Sequence, residues 1–179
     1  MPENQRTTQA IKGFANELRK QPEVYLGFEI GEGDLRGMLQ QSISLAQETT
    51  PGLQVVSDLQ VKIADDKCLI KGPIRVNHPV VGMSTVNVDS LRLANSTTPG
   101  LIVVTESRFT KNLSLRLQTL AFANGIDIDE QISANLSDPY AAIYKVIGTE
   151  LKKERVQLLQ LGLMFRGSSL SAGISGRPI

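Results

Sequence analysis

The chain has one histidine, one cysteine and no tryptophan, and each scarcity removes a class of function. A lone cysteine, Cys68, excludes an intrachain disulfide and says little about compartment. A lone histidine, His78, leaves a zinc site without the several further ligands it needs. Aromatic residues make up 4% of the chain, too few for stacking of bases or sugars to be the main activity. With 19 Lys plus Arg against 18 Asp plus Glu, net charge supports neither nucleic-acid binding nor strong attraction to anionic membranes. No apolar run is long enough to span a bilayer, so no transmembrane segment is expected. The opening MPENQRTTQ is polar, without the apolar core of a signal peptide.

What is present is a clear order of patterns. The 179 residues fit a single domain, 1–179, with an N-terminal helix within 1–22 and a helix-plus-sheet core over 23–175. Ala10, Ile11, Phe14, Ala15 and Leu18 share one side of a helix over 7–20. Arg19 and Lys20 fall in its last turn, where the helix dipole favours cations, and Pro22 stops it. VYLGFEI (24–30) alternates as a half-buried strand. GEGD reads as a turn, with Asp34 as N-cap of a second helix. That helix carries Leu35, Met38, Leu39, Ile43 and Ala46 and ends near Glu48, ahead of Pro51 and Gly52.

A hairpin follows: LQVKI (59–63), the turn ADDK, then CLIKGPIRV (68–76). Pro73 points to an edge or a bulge, because proline cannot donate to the ladder. VVGMSTVNVDSLRL (80–93) is strand-like, and its apolar register changes between Val88 and Leu91, which implies a bulge or bend. TTPG turns into the strand LIVVTESRFT. KNLSLRLQTL fits both periods and is read as strand, then loop, before a turn at Asn124-Gly125. IDIDEQISANL holds a short helix capped by Asp127 or Asp129. Asp138-Pro139 starts a further helix, with Asp as N-cap and Pro at the first helical position. Tyr140, Ile143, Tyr144, Ile147 and Leu151 form its buried stripe, and Lys152, Lys153 and Arg155 close it. VQLLQLGLMF and SLSAGIS flank RGSS as a last hairpin, and GRPI reads as frayed. Helices and strands do not alternate after residue 50, which disfavours a parallel doubly wound sheet.

No catalytic motif survives inspection. Gly31-Glu32-Gly33-Asp34-Leu35-Arg36-Gly37 lies between a strand and a helix, as a dinucleotide fingerprint would, and Asp58 lies downstream. However, the third glycine comes one residue late. Glu32 and Asp34 place negative charge where a pyrophosphate would sit, and the strand before them alternates. A capped turn is the better reading. Asp127, Asp129 and Glu130 begin like a calcium loop but lack its glycine and distal Glu, so they read as capping acids. His78, in Asn-His-Pro, is read as a surface-turn histidine. A Cys68–His78 nucleophile pair is conceivable, but Cys68 shares the strand face of Ile70 and is the size of a core residue. There is no G-x-S-x-G elbow. Asn95, Asn112 and Asn135 begin glycosylation-type triplets, which carry no weight without a secretory signal.

The remaining candidate is distributed. Helix stripes and inward strand faces supply many Leu, Ile, Val and Met side chains, which line apolar cavities and also fill solid cores. From the residue pattern alone, core filling is the plainer account. FEIGEGDLRGMLQQSI (28–43), the hairpin LQVKIADDKCLIKGPIRV, and the late helix from Pro139 followed by LLQLGLMFRGSSLSAGIS resemble small tubular lipid-binding domains of the TULIP type, including the bacterial LmeA-like ones. The resemblance spans roughly residues 24 to 175. It implies a long helix inside a rolled sheet and non-catalytic binding of phospholipid or other apolar chains.

These readings set the expectations. The fold is α+β: a strongly curved antiparallel sheet wrapped around or packed on two or three amphipathic helices. The function is non-enzymatic binding of a lipid or other apolar ligand in a groove between helices and sheet, lined by Leu35, Met38, Leu39, Ile43, Ile143 and Ile147. No cofactor, metal or nucleic acid is expected. The alternative is a structural or protein-interaction module in which the same residues form a solid core and a protein partner docks elsewhere.

Overall fold

The structure, a computed structural model, describes residues 6–20, 25–49, 52–79, 82–112, 132–133 and 136–179. The elements run α1 (Arg6–Lys20), β1 (Tyr25–Ile30), α2 (Glu32–Thr49), β2 (Gln54–Ser57), β3 (Gln60–Ala64), β4 (Lys67–His78), β5 (Gly82–Asn95), β6 (Ile102–Asn112), α3 (Pro139–Lys153), β7 (Val156–Arg166) and β8 (Ser169–Pro178). The class is α+β, with helices packed on antiparallel sheet. In place of one sheet there are two: β1-β8-β7, and a larger one ordered β2-β4-β5-β6 with β3 also on β4. The reason lies at β7. Among the described residues its outer edge carries no strand and is met instead by a side chain and a loop, as detailed below.

Period and burial agree along most elements. Ile11, Phe14, Ala15 and Leu18 of α1 are buried, as the helical spacing predicts. In α2 the stripe is buried over Leu35, Met38, Leu39 and Ile43, while the Ala46 side chain lies outside the described residues. The helix α3 is held at its start as expected. The Asp138 side chain accepts from the Ala141 N–H at 3.0 Å, with Pro139 in the first turn. Strands of the two sheets alternate inward apolar and outward polar positions, and the buried side chains form one continuous core with the helices.

The hairpin β3–β4 turns on Asp65 and Asp66, both left-handed with φ of 53° and 60°, the conformation a two-residue hairpin loop requires. The bulge expected between Val88 and Leu91 is present: pairing with β6 slips between Val88 and Ser90. Of the two settings expected for Pro73 the structure has the bulge: β4 is paired on both sides, and its pairing with β5 slips between Ile70 and Gly72, next to Pro73. Its carbonyl accepts from the Asp58 N–H at 3.0 Å, in the break between β2 and β3. Carbonyl and nitrogen of one strand residue face the same way, so the missing donor of Pro73 faces that break.

Three other expectations are corrected. Asp34 is not the N-cap: the Leu35 N–H bonds to the Gly31 carbonyl at 2.9 Å, so the first helical bond starts at Gly31 and Asp34 lies inside the first turn. His78 is not on a surface turn. β4 runs two residues further than its apolar pattern suggested, and strand alternation turns His78 inward, to 6% exposure. The last residues are not frayed: Arg177 and Pro178 pair with Gln157 and Val156, and the Ile179 N–H reaches the Arg155 carbonyl at 2.9 Å. Expectations for Pro22, Val24, Pro51, the stretch 113–131, Asn124-Gly125, Asp127, Asp129 and Glu130 lie outside the described residues. Parts of IDIDEQISANL, at 132–133, are helical.

Gly72 has φ of 137°, and a Cβ there would stand 2.2 Å from the Asp58 carbonyl oxygen. Gly13 lies in α1 with nothing within 4 Å of such a carbon. The two substitutions to alanine therefore have opposite signs. Gly72→Ala lowers unfolding free energy by on the order of 2–4 kcal/mol, and Gly13→Ala raises it by roughly 0.5–1 kcal/mol. Urea titration followed by circular dichroism reads both.

Candidate functional site

The six side chains expected to line a ligand groove come together, on facing sides of α2 and α3 within the one core. Leu35, Leu39, Ile143 and Ile147 are 0% exposed, Ile43 is 1% and Met38 is 6%. At the edge of this packing a recess of about 230 Å³ lies where the three helices meet. Met38 and Ile147 reach its wall, beside Thr7, Ile11, Asp34 and Glu150. Its polar corner is tied: the Thr7 hydroxyl donates to Asp34 Oδ2 at 2.8 Å.

The glycine-rich stretch is accounted for by helix and sheet contacts. Glu32 Oε1 accepts the Ile63 N–H at 2.8 Å, joining the start of α2 to β3. Asp34 is 94% enclosed and tied to α1, leaving negative charge at the helix start where a phosphate would have to sit. β1 pairs antiparallel with β8, so no parallel β-α-β unit surrounds the motif.

Cys68 and His78 lie on the same strand, ten residues apart, hence roughly 30 Å at about 3.3 Å per residue. They cannot act as a pair. Burial, and after it the Glu32 carboxylate, push the Cys68 thiol up to about 12, which keeps it protonated and unreactive. Among the described residues no three His, Cys, Asp or Glu side chains gather as metal ligands. No described helix is long and apolar enough to cross a membrane.

The polar groups most heavily used are at the β7 edge. Asn95, at the end of β5, meets Phe165 with both ends of its amide: Nδ2 donates to the Phe165 carbonyl at 3.0 Å, and Oδ1 accepts its N–H at 2.6 Å. The Leu163 N–H bonds to the Gly100 carbonyl at 2.8 Å. The Tyr140 hydroxyl donates to the Leu161 carbonyl at 2.6 Å, and burial followed by neighbouring Tyr144 raises its pKa. One turn further, the Gly167 N–H donates to Asp66 Oδ1 at 2.6 Å, locking the two hairpin turns together. On the opposite flank, Ser169 and Ser171 hydroxyls donate to Glu29, holding its pKa below the ordinary value.

The sequence did not single out these groups. Asn95 stood out only as the first residue of Asn-Ser-Thr, and its amide nitrogen is engaged with Phe165. A side chain that imitates a strand has no periodic signature. A polar residue ending a strand just before a tight turn was the one available clue. Compared with known proteins, the chain matches no protein-family model and no curated protein.

The raised Cys68 pKa has a pH consequence. The unfolded thiol ionises near its ordinary value of about 8.5, whereas the folded one stays protonated. The folded state therefore holds the extra proton, and stability is complete below about pH 8.5 and declines as pH rises toward 12. The expected slope is up to about 1.4 kcal/mol per pH unit. Denaturation midpoints measured across that range fall more steeply for the wild type than for Cys68→Ala, and native Cys68 resists thiol reagents that label it once the chain is unfolded.

Proposed function

We propose that the chain is a non-enzymatic interaction module: its interior is structural, and its contacts with other molecules run over its surface. One observation carries this reading. A tunnel wide enough for a hydrocarbon tail leaves the residues along it exposed to the tunnel, and Leu35, Leu39, Ile143 and Ile147 expose nothing. To admit an acyl chain between α2 and α3, these side chains would have to lose their packing, at roughly 1.5–3 kcal/mol each. The protonated Cys68 and the distance to His78 support the absence of nucleophilic chemistry.

A second reading, binding of an apolar ligand, is favoured by one feature: the recess beside Met38 and Ile147. It agrees with the resemblance to tubular lipid-binding domains. Its volume of about 230 Å³ is below the several hundred Å³ usual for a ligand site, so it suits at most the end of a chain.

Native mass spectrometry of protein purified under gentle conditions, with titration of a fluorescent fatty acid, separates the two. The surface reading expects no co-purifying acyl species and no saturable uptake of the probe. A bound acyl species, or uptake abolished by Met38→Trp in a folded protein, would overturn it in favour of the apolar-ligand reading.

A further inference from the structure

The net charge of +1 hides a strongly uneven surface. The larger sheet turns its inner face to α2 and α3 and leaves its outer face open. On that outer face strand register gathers the cations. Lys62 of β3 and Arg92 of β5 both stand opposite Leu69 of β4. Lys67 and Lys71 lie two residues to either side of Leu69 on the same strand face. Each is thus a diagonal neighbour of Lys62 and Arg92, at about 7–8 Å between backbones. All four are exposed. Arg108 extends the group onto β6, and Arg75 extends it down β4.

The acids on this face are fewer, and two of them are engaged. Glu106 bonds Arg92 at 2.8 Å and Arg108 at 3.0 Å, and Arg92 first, then Ser90 and Arg108, hold its pKa low. Asp89 accepts from the Thr110 hydroxyl. Asp65 sits at the rim, in the hairpin turn. Lys62, Lys67, Lys71 and Arg75 form none of the ion pairs found among the described residues. At the centre the twisted sheet leaves an open depression of about 490 Å³, walled by Lys62, Lys67, Leu69, Arg92 and Thr105.

Like charges set diagonally on neighbouring strands repel one another, and only Arg92 and Arg108 share a carboxylate between them. Their arrangement is favourable when an anionic partner covers them. The partner's form follows from what accompanies the charge. No aromatic side chain lies among these positions, so the stacking that single-stranded nucleic acid uses is missing. Instead apolar side chains stand exposed at the ends of the face: Val103, 40% exposed, opposite Ala94, and Val56 and Met83, 63% and 65% exposed, beside Arg75 and Asn77. Lysines over a broad sheet surface, flanked by exposed aliphatic groups, match a bilayer, which offers phosphate at its surface and hydrocarbon just beneath.

From this we infer that the outer face of the β3-β4-β5-β6 sheet docks on an anionic lipid bilayer, with lipid phosphates over the Lys62–Lys67–Lys71–Arg92 ring. The inference rests on the surface-binding reading and names its partner. It differs from the apolar-ligand reading because the lipid stays in the membrane and the core stays closed.

The test is sedimentation with vesicles of phosphatidylcholine, alone or with one-third phosphatidylglycerol, at low ionic strength. The wild-type chain is expected to bind the mixed vesicles and not the neutral ones. Raising the salt should release it as screening shortens the reach of the charges. Lys62→Gln with Lys71→Gln should lower partitioning by about fivefold for each cation removed, with an unchanged circular dichroism spectrum. Salt dependence of the wild type reads the same charge if the double variant does not fold. Equal binding to neutral vesicles, failure to bind the anionic ones, salt-insensitive binding, or full binding by the folded variant would each overturn the inference. So would tighter binding to a short DNA duplex than to the vesicles. Failure here with no acyl species in native mass spectra leaves a surface module with another partner. A co-purified acyl chain that is kept by the Lys62→Gln/Lys71→Gln variant and lost in a folded Met38→Trp variant removes the surface reading, whereas one lost with the two lysines and kept by Met38→Trp supports the inference.

Discussion

Both ends of the Asn95 amide meet the backbone of Phe165, one as donor and one as acceptor, and the architecture depends on that contact. A strand edge bares a row of N–H and C=O groups that attract any passing strand. In β7 those groups are taken in turn by Asn95, by the Gly100 carbonyl and by the Tyr140 hydroxyl. The smaller sheet therefore ends at β7 without needing a fourth strand. The end of β5 and the loop after it bring the larger sheet onto that edge through side chain and backbone, and the turns of two hairpins lock at Asp66 and Gly167. Two modest sheets held this way enclose a continuous core with α1, α2 and α3 among the described residues.

Closure of that seam separates the inward faces, which pack the core, from the outward faces, which meet solvent. The inward strand faces pack against the helices, whose Leu35, Leu39, Ile143 and Ile147 are 0% exposed. The outward faces answer to a different constraint. In the larger sheet they carry lysine and arginine at alternate positions on neighbouring strands, with acids held in pairs. Charge that cancels over the whole chain does not cancel over one sheet face, because register places Lys62, Lys67, Lys71 and Arg92 together. The Asp34–Thr7 and Glu32–Ile63 bonds place the acids at the start of α2 on the other side of the sheet, where they fasten helices and strands.

What was legible in the sequence was local and periodic. The α1 stripe, the Asp138-Pro139 start of α3, the hairpin around Asp65-Asp66 and the bulge after Val88 each follow from a repeat of 3.6 or 2 residues, or from a residue type that one backbone conformation demands. The six core positions on α2 and α3 were legible as apolar and convergent. Whether they bounded a space or filled it depended on how closely the two helices approach, which no local pattern encodes. Asp34 has the side chain of an N-cap, but the helix begins one turn earlier, where the Gly31 carbonyl accepts from the Leu35 N–H. The role of Asn95 was out of reach because its partner is 70 residues away. The cationic face was present as alternation within each strand, but it became a surface only once the pairing of four strands was known.

The account stands on the sealed edge of β7, and amide hydrogen exchange of Phe165 measures that seal directly. An amide hydrogen-bonded within a closed seam opens only with the surrounding structure and exchanges slowly, whereas one on a bare strand edge exchanges freely. The account predicts that the Phe165 N–H is as protected as amides in the centre of β8, and that Asn95→Ala speeds it by at least an order of magnitude while β4 and β5 keep their protection. Rapid exchange at Phe165 in the wild-type protein, or no change on removing the Asn95 amide, would contradict it.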